Sequence, residues 1–321
     1  MEMQKVPQAG YTIKGLWIAG LQRSLTIKNA LFPIKLISSL WASRRIIKFF
    51  KPDIAIGTGG YASAPLLKMA SLRGVPCLIQ EQNSHAGITN KWLGNHVQSI
   101  CTAYDAMDRF FPVNKIHVTG NPVRQDLLNI TADRSQALSF FKLNANAKTI
   151  LVLGGSLGAK KINELIDTHL SYFNKNEIQV VWQCGKMYAK SYQNRTQSTI
   201  QVHPFINRMD LAYAAADIII SRAGALSVSE LCLVGKPVIF IPSPNVAEDH
   251  QTKNALSISQ NNAAILLHEK DASGQFETVI GDLLNDVKRQ KQLGAAILAL
   301  AKPNATKDIV DQIEKLIQHK V

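Results

Sequence analysis

Short apolar runs alternate along this chain with longer stretches of helical periodicity. The runs are continuously apolar and rich in β-branched residues, as expected of strands that are covered on both faces. Several end in a glycine or a small polar residue just before a helical stretch, and this order predicts βαβ units and parallel sheets. The predicted strands are 53–56, 77–79, 116–119, 150–153, 179–182, 218–220 and 238–241.

The length and composition of the chain predict two folded α/β domains. With 321 residues, of which 46% are hydrophobic and 18% charged, the chain suits a globular protein of about two domains. A fresh βα unit opens at Thr149, and we place the boundary ahead of it, between an N-terminal lobe over 1–122 and a C-terminal lobe over 123–305. The last helix, 306–321, carries an apolar stripe and is predicted to pack back onto the N-terminal lobe.

The excess of positive charge indicates an anionic binding partner. Lys and Arg number 36 against 23 Asp and Glu, and the net charge of +13 favours an anionic membrane surface, a phosphorylated substrate or nucleic acid. The chain has no RNP-like aromatic box or zinc-finger spacing, so we expect no nucleic acid. No apolar run reaches the roughly 20 residues that span a bilayer, and the polar first residues do not form a signal peptide. We therefore expect a cytosolic protein that touches a membrane from that side.

A glycine-rich loop, 154–159, directly follows the predicted strand 150–153. Glycines let backbone N–H groups approach an anion closely, and the helix that follows presents its positive N-terminal end. Such a loop suits a diphosphate, to which Ser156 adds a hydroxyl donor. The alternative is a plain tight turn between a strand and a helix.

Two further polar motifs follow strands in the second half of the chain. In 221–230, a helix is predicted to begin near 223–225, which places Glu230 where it can accept hydrogen bonds from both hydroxyls of a ribose. The alternative is a solvated ion pair between Arg222 and Glu230. In 249–255, the amide of Gln251 suits sugar hydroxyls because it both donates and accepts.

The first half contributes a polar turn, 81–91, and an amphipathic helix, 31–50. Asn83 and Ser84 in the turn either bind a ligand or cap the next helix. In the helix, Ile34, Ile37, Leu40, Trp41 and Ile47 share a face that Lys28, Lys35, Arg44, Arg45 and Lys48 surround. This pattern is typical of a membrane-surface helix, and a core helix with solvated lysines fits it equally well.

Few groups are available to hold a metal. The four cysteines, Cys77, Cys101, Cys184 and Cys232, are scattered without a C-x-x-C pair, which predicts free thiols. No Asp-x-Asp pair occurs, although many sugar-nucleotide enzymes use one to hold a metal on the diphosphate. We therefore predict no metal and no other cofactor, with leaving-group charge met by N–H groups, a helix terminus and a cation such as Arg124.

Six segments, taken together and in order, resemble the MurG family of N-acetylglucosaminyltransferases. They are 57–61, 81–91, 120–124, 154–163, 221–230 and 250–255. The resemblance implies the GT-B fold, in which two Rossmann-like lobes enclose the active site. It also implies inverting transfer of N-acetylglucosamine from UDP-N-acetylglucosamine to the 4-hydroxyl of an undecaprenyl-linked muramyl pentapeptide, lipid I. The product is lipid II, made at the cytoplasmic face of the inner membrane by a peripheral protein.

The same resemblance implies roles for individual residues. Arg124 and the backbone near Ile206 would lie by the uracil, Glu230 would hold the ribose, and Ser156 the diphosphate. Gln251 and Asn83 would contact the sugar. Supporting polar positions are Tyr61, Asn90, Asn163 and Arg222, and the membrane patch falls on Ile34, Ile37, Leu40 and Trp41.

The chain departs from the family at its start. The family opens with a strand, a Gly-Gly-Thr-Gly-Gly-His loop, a helix and a second strand, a unit of roughly 30 residues or more. The first residues here match a point after that unit, and we favour a start assigned too late over a fragment. The absent loop binds the acceptor diphosphate and carries the candidate base, so the catalytic residue is unknown. We expect UDP-sugar binding by the 321 residues but little transfer.

Three other functions remain open at this point. They are sugar transfer to diacylglycerol, epimerisation of UDP-N-acetylglucosamine at carbon 2, and binding of a UDP-sugar without catalysis. An acceptor assay separates the first of these from lipid I glycosylation, and an epimerase would convert the donor alone.

Overall fold

The computed structural model describes residues 2–20, 31–124 and 132–318. The chain divides into two compact units, an N-terminal unit of Met1–Thr119 with Lys307–Val321 and a C-terminal unit of Gly120–Thr306. The sequence placed these divisions at 122/123 and 305/306. Lys28 and the last three residues of the predicted final helix lie outside the described residues.

A parallel four-stranded sheet forms the centre of the N-terminal unit, in the order β1-β2-β3-β4. The strands are β1 Ala55–Gly57, β2 Cys77–Glu81, β3 Ser99–Thr102 and β4 Ile116–Val118. The helices are α1 Glu2–Gln8, α2 Phe32–Phe50, α3 Ser63–Ser71, α4 Ile88–Leu93 and, at the end of the chain, α14 Ala305–Gln318.

Both faces of this sheet are covered. Ile79 and Ile100 join a core with Leu67 and Ala70 of α3. Their neighbours Leu78 and Cys101 point to the opposite face and pack against the apolar stripe of α14, which contributes Ile309, Ile313 and Leu316. Continuous apolar strands are the sequence signature of such two-sided burial.

Helix α2 presents two different faces. Ser39, Ser43 and Ile47 are buried, and Ile47 belongs to the core of the N-terminal unit. Ile34, Ile37 and Trp41 are exposed on the other side, and Leu40 is half-buried. The prediction that Ile47 shares a face with Ile34, Ile37 and Trp41 was therefore wrong, because Ile47 lies on the buried side with Ser39 and Ser43.

A parallel six-stranded sheet forms the centre of the C-terminal unit, in the order β10-β9-β8-β5-β6-β7. The strands are β5 Thr149–Leu153, β6 Gln179–Gln183, β7 Ile200–His203, β8 Ile218–Ser221, β9 Val238–Phe240 and β10 Ile265–Leu266. The helices are α5 Arg134–Phe140, α6 Lys160–Thr168, α7 Leu170–Lys175, α8 Ala189–Tyr192, α9 Met209–Ala215, α10 Ala225–Val234, α11 His250–Ser259, α12 Glu269–Asn285 and α13 Val287–Ala299.

The order of strands in this sheet reverses between β5 and β8. The chain builds outward from β5 to β6 and β7, then returns to the other side of β5 and builds outward again from β8. The adjacent carboxyl ends of β5 and β8 therefore form a topological switch point, the place where open α/β sheets bind ligands.

The α/β class with two parallel sheets is confirmed, and each predicted strand corresponds to an observed one. Three strands were missed: β3, β7 and β10. β3 reads Ser-Ile-Cys-Thr and β7 reads Ile-Gln-Val-His, so neither is a continuous apolar run, and β10 has only two residues. These segments still form strands because their backbones pair with the neighbouring parallel strands, β2 in the case of β3 and β6 in the case of β7.

Replacing Phe276 of α12 with alanine tests the core of the C-terminal unit. Phe276 is 1% exposed and packs its ring 6.0 Å from that of Phe173, centroid to centroid. We expect Phe276→Ala to lower the free energy of unfolding by about 3–5 kcal/mol, since it removes buried contacts and leaves a cavity. The measurement is urea denaturation followed by circular dichroism. Phe140→Ala is the matched control, because Phe140 is 54% exposed and should cost about 1 kcal/mol or less.

Candidate functional site

The loop between β5 and α6 can be built only with glycine at its tightest points. Gly155 and Gly158 have φ of 80° and 92°, the left-handed region that favours glycine. A Cβ on Gly158 would lie 2.2 Å from the carbonyl oxygen of Cys184, which follows β6. The loop therefore lies directly against the backbone at the end of the neighbouring strand.

One buried side chain supports the strand end against which this loop lies. Asn163 of α6 is fully buried, donating through Nδ2 to the Cys184 carbonyl at 2.8 Å and accepting at Oδ1 from Trp182 Nε1 at 2.9 Å. Ser156, by contrast, lies exposed on the loop. Asn163 thus supports the loop, and Ser156 is free to face a ligand.

The first turns of α6 and α10 offer backbone N–H groups. Ala159 precedes α6 and Gly224 precedes α10, and both are extended residues whose side chains cannot cap a helix. The orphan N–H groups and the helix dipole at these two termini favour an anion. The glycine loop and the start of α10 stand at the ends of β5 and β8, the two strands of the switch point.

Arg222, between β8 and α10, is held in place by two partners. Its Nη1 donates to the Ile241 carbonyl at 2.8 Å and forms an ion pair with Glu269 Oε2 at 2.6 Å. The side chains of both ions are about 15% exposed. Glu230 of α10 instead pairs with Arg124, at 3.6 Å between Oε1 and Nε. The alternative of an ion pair between Arg222 and Glu230 was therefore wrong, because Arg222 is engaged by α12.

These elements surround a pocket of about 290 Å³ in the C-terminal unit. Its lining includes the predicted residues Arg124, Ser156, Ile206, Arg222 and Glu230. The structure adds four lining residues that lie outside the predicted motifs and strands: Gln183, Met209, Tyr213 and Leu231. Gln183 directly follows the predicted strand 179–182, and a polar residue at the carboxyl end of a parallel strand is the signal that could have found it.

Gln251 lies elsewhere in the C-terminal unit. It stands in the first turn of α11, after a turn in which Glu248 and Asp249 have left-handed backbone angles. Its Oε1 accepts from the Ser243 N–H at 2.9 Å. Among the described residues its side-chain NH₂ group has no partner, so it remains able to donate.

In the N-terminal unit, the polar turn after β2 is organised by the buried carboxylate of Glu81. Glu81 accepts from the Asn83 and Gly87 N–H groups, both at 3.0 Å, and from Asn90 Nδ2 at 2.9 Å. The N-cap of α4 is Gly87, so the alternative that Asn83 or Ser84 caps that helix was wrong. Tyr61 is exposed and follows the glycine turn after β1.

An exposed apolar surface accompanies α2 in the same unit. Ile34, Ile37 and Trp41 are 56%, 68% and 65% exposed, and Phe49 and Phe50 continue the surface at the end of the helix. Arg45 lies over the rings of Trp41 and Phe49, 5.7 and 5.8 Å from their centroids. Within residues 2–20, 31–124 and 132–318, none of the helices has the length and apolar content needed to cross a bilayer.

The four cysteines are free and buried, as expected of structural thiols. Burial raises the pKa of Cys77 and Cys101 to about 11 and that of Cys232 to about 12, which disfavours the reactive thiolate. In the part of the chain that the structure describes, His, Cys, Asp and Glu side chains nowhere gather in threes in a way that could hold a metal ion.

Comparisons with known proteins agree on one family. The models of the glycosyltransferase family 28 N-terminal and C-terminal domains match residues 1–102 and 149–313. A curated relative from Christiangramia forsetii is 56% identical over 100% of this chain and 88% of its own length. It is named UDP-N-acetylglucosamine–N-acetylmuramyl-(pentapeptide) pyrophosphoryl-undecaprenol N-acetylglucosamine transferase.

Solved structures show the same fold. The crystal structure of Acinetobacter baumannii MurG superposes with a TM-score of 0.78 at 29% identity, covering 98% of this chain and 88% of that one. UDP-GlcNAc 2-epimerase from Neisseria meningitidis bound to UDP-GlcNAc gives a TM-score of 0.62 at 16% identity, covering 92% and 83%, a likeness of fold alone. The predicted GT-B class is thereby confirmed.

A pair of glycine substitutions tests the geometry of the loop after β5. At Gly158, alanine meets both a left-handed φ and the Cys184 carbonyl, and we expect the free energy of unfolding to fall by roughly 3 kcal/mol or more. At Gly155, alanine meets a similar φ but open space among the described residues, so the loss should stay near 1–2 kcal/mol. Chemical denaturation of both variants gives the comparison. Equal losses would contradict the close approach at Gly158.

Proposed function

The chain belongs to glycosyltransferase family 28, and from that premise we propose that it transfers N-acetylglucosamine from UDP-N-acetylglucosamine to lipid I. The acceptor is the 4-hydroxyl of the undecaprenyl-linked muramyl pentapeptide, the configuration at the anomeric carbon inverts, and the products are lipid II and UDP. The observation that carries the proposal is the pocket at the switch point of the C-terminal unit, which is lined by four predicted substrate-binding residues, Arg124, Ser156, Ile206 and Glu230, and by the supporting residue Arg222.

The pocket offers a separate chemistry to each part of UDP. The glycine loop, the Ser156 hydroxyl and the uncapped starts of α6 and α10 favour the diphosphate. Phe205 and Ile206 supply an apolar wall with backbone groups for the uracil, near Arg124. Glu230 has a carboxylate that accepts from the ribose hydroxyls, and its pairing with Arg124 keeps that carboxylate oriented.

Two amide side chains are proposed to bind the sugar of the donor. Because Gln251 Oε1 is occupied by the Ser243 N–H, its NH₂ group is left to donate to a sugar oxygen. Asn83, in the turn that Glu81 organises, is proposed as a second sugar contact. Asn163 supports the glycine loop indirectly, through its hydrogen bond to the Cys184 carbonyl. Arg222 donates to the carbonyl of Ile241, which follows β9 and precedes the segment that leads to Gln251. Asn90 supports the turn around Glu81, and Tyr61 is a supporting polar position.

The proposed reaction is one displacement. The oxygen of the acceptor 4-hydroxyl forms a bond to the anomeric carbon, and its proton is released to solvent. The bond from that carbon to the diphosphate oxygen breaks, and the electron pair leaves with UDP. Charge that grows on the leaving oxygen is met by N–H groups, two helix termini and a nearby cation, fixed in advance by the fold. Holding donor and acceptor in line supplies the rest of the acceleration.

The acceptor is a membrane lipid, and we propose that the chain reaches it as a peripheral protein at the cytoplasmic face of the inner membrane. The exposed residues Ile34, Ile37 and Trp41 of α2, joined at its margin by half-buried Leu40, support this, since apolar side chains flanked by Arg44, Arg45 and Lys48 suit an anionic bilayer surface. The net charge of +13 acts in the same direction.

Titration calorimetry with UDP and with UDP-N-acetylglucosamine tests the donor site. Glu230→Ala should weaken both ligands by roughly 10–100-fold, because hydrogen bonds to a charged group are lost. Gln251→Ala should weaken UDP-N-acetylglucosamine by roughly fivefold and leave UDP unchanged, since it removes a contact to the sugar alone.

Glu164→Ala is the matched control for Glu230→Ala, because Glu164 is a surface carboxylate paired with Lys160 and Lys161. It should bind both ligands as the wild type does. Unchanged affinity in the Glu230 and Gln251 variants would refute the assignment of the donor site. Conversion of the donor without lipid I, or sugar transfer to diacylglycerol in its place, would refute the proposed reaction.

Vesicle sedimentation tests the membrane surface. Replacing Ile37 and Trp41 together with serine should lower the fraction bound to anionic vesicles by roughly tenfold or more, because both side chains would lose their burial in the interface. Phe140→Ser, an exposed aromatic of the C-terminal unit, is the control and should bind as the wild type does. Equal binding by all three proteins would contradict the assignment of this surface.

A further inference from the structure

Gln183 joins two separate segments that line the same pocket. It is the last residue of β6 and is 5% exposed. Its Nε2 donates to the carbonyl of Gly155 in the glycine loop at 3.2 Å, and its Oε1 accepts the N–H of Ile206 at 2.9 Å. One side chain thus connects the loop proposed for the diphosphate with the segment proposed for the uracil.

The chemistry of the two neighbours fixes the orientation of this amide. A carbonyl oxygen needs a donor and an N–H needs an acceptor, so the NH₂ group faces Gly155 and the oxygen faces Ile206. The backbone of Gln183 adds a third tie, because its carbonyl accepts the Gly154 N–H at 3.3 Å. Buried polar groups are costly to leave unpaired, so this arrangement resists change.

We propose that Gln183 is a positioning residue, which sets the separation between the glycine loop and the segment of Phe205 and Ile206 so that both ends of one uridine diphosphate bind together. The inference rests on the proposed function for the identity of that ligand. A ligand that must touch two segments binds more tightly when their spacing is fixed beforehand, because less freedom is lost on binding. Gln183 acts through Gly155 and Ile206.

A matched control stands at the opposite end of the same strand. Gln179 is 3% exposed, its Oε1 accepts the Asn144 N–H at 2.6 Å, and its Nε2 donates to the Asn144 carbonyl at 2.9 Å. It therefore makes the same kinds of buried hydrogen bond as Gln183. It does so at the amino end of β6, away from the carboxyl-end loops that line the pocket.

The experiment compares Gln183→Met with Gln179→Met in the full chain, by thermal unfolding and by calorimetry with UDP and uridine. Both variants should lose thermal stability, and Gln179→Met at least as much as Gln183→Met, because Gln183 loses two side-chain hydrogen bonds and Gln179 loses three. Gln183→Met should raise the Kd for UDP roughly tenfold, and Gln179→Met by less than about twofold. A purely structural role for Gln183 would weaken UDP binding equally in both variants, and that result would overturn the proposal.

Gln183→Glu separates the two ends of the connection. One carboxylate oxygen still accepts the Ile206 N–H, while the other faces the Gly155 carbonyl and cannot donate to it. Uridine, which has no phosphate, should then bind within about twofold of the wild type, while UDP binding falls by roughly tenfold or more. A loss of equal size for uridine and UDP would contradict the proposed separation of roles.

The wild type distinguishes this inference from the proposed function. If the wild type gives no heat with UDP, the proposed function fails and the positioning role falls with it. If the wild type binds UDP and Gln183→Met binds it equally well, the positioning role alone is refuted.

Discussion

The close approach of the glycine loop to the end of β6 is the constraint on which the rest of the C-terminal unit depends. Gly158 lies against the Cys184 carbonyl, where a Cβ would be 2.2 Å from that oxygen. Beside this contact, Asn163 donates to the same carbonyl and Gln183 donates to the carbonyl of Gly155. A bulkier residue would push the loop away and break both connections at once.

The parallel sheet of the C-terminal unit places the glycine loop beside a second loop, and the two together line the pocket. Because β5 and β8 are neighbours at the point where strand order reverses, their following loops open on the same crevice. The N–H groups at the two uncapped helix starts are then fixed by the fold before any ligand arrives. An anion held this way meets dipoles that do not need to reorient.

The sequence predicts the parts of this arrangement that depend on neighbouring residues, and it does not predict contacts between residues far apart in the chain. Apolar runs followed by glycines specify β5, β8 and their loops, because burial and backbone geometry are local properties. The partner of Arg222 is different: Glu269 stands at the start of a distant helix, and only the completed sheet brings it within 2.6 Å. The alternative of an ion pair between Arg222 and Glu230 rested on closeness in sequence, which in this case misleads.

Helix α2 shows a second limit of prediction from sequence. Hydrophobic periodicity finds an amphipathic helix but does not tell which apolar side chain belongs to the core, whereas the small buried residues Ser39 and Ser43 mark the packed face. Ile47 falls on that side and Ile37 on the other. Small residues on one face therefore carry information that a count of apolar residues omits.

The four tryptophans give the chain two kinds of optical reporter. Trp182 is fully buried, and its indole N–H donates to Asn163, whereas Trp17, Trp41 and Trp92 of the N-terminal unit are 58%, 65% and 47% exposed. Indoles in these two environments emit at different wavelengths. Intrinsic fluorescence can therefore follow the loop through its blue component and the exposed tryptophans of the N-terminal unit through its red component, in one unlabelled sample.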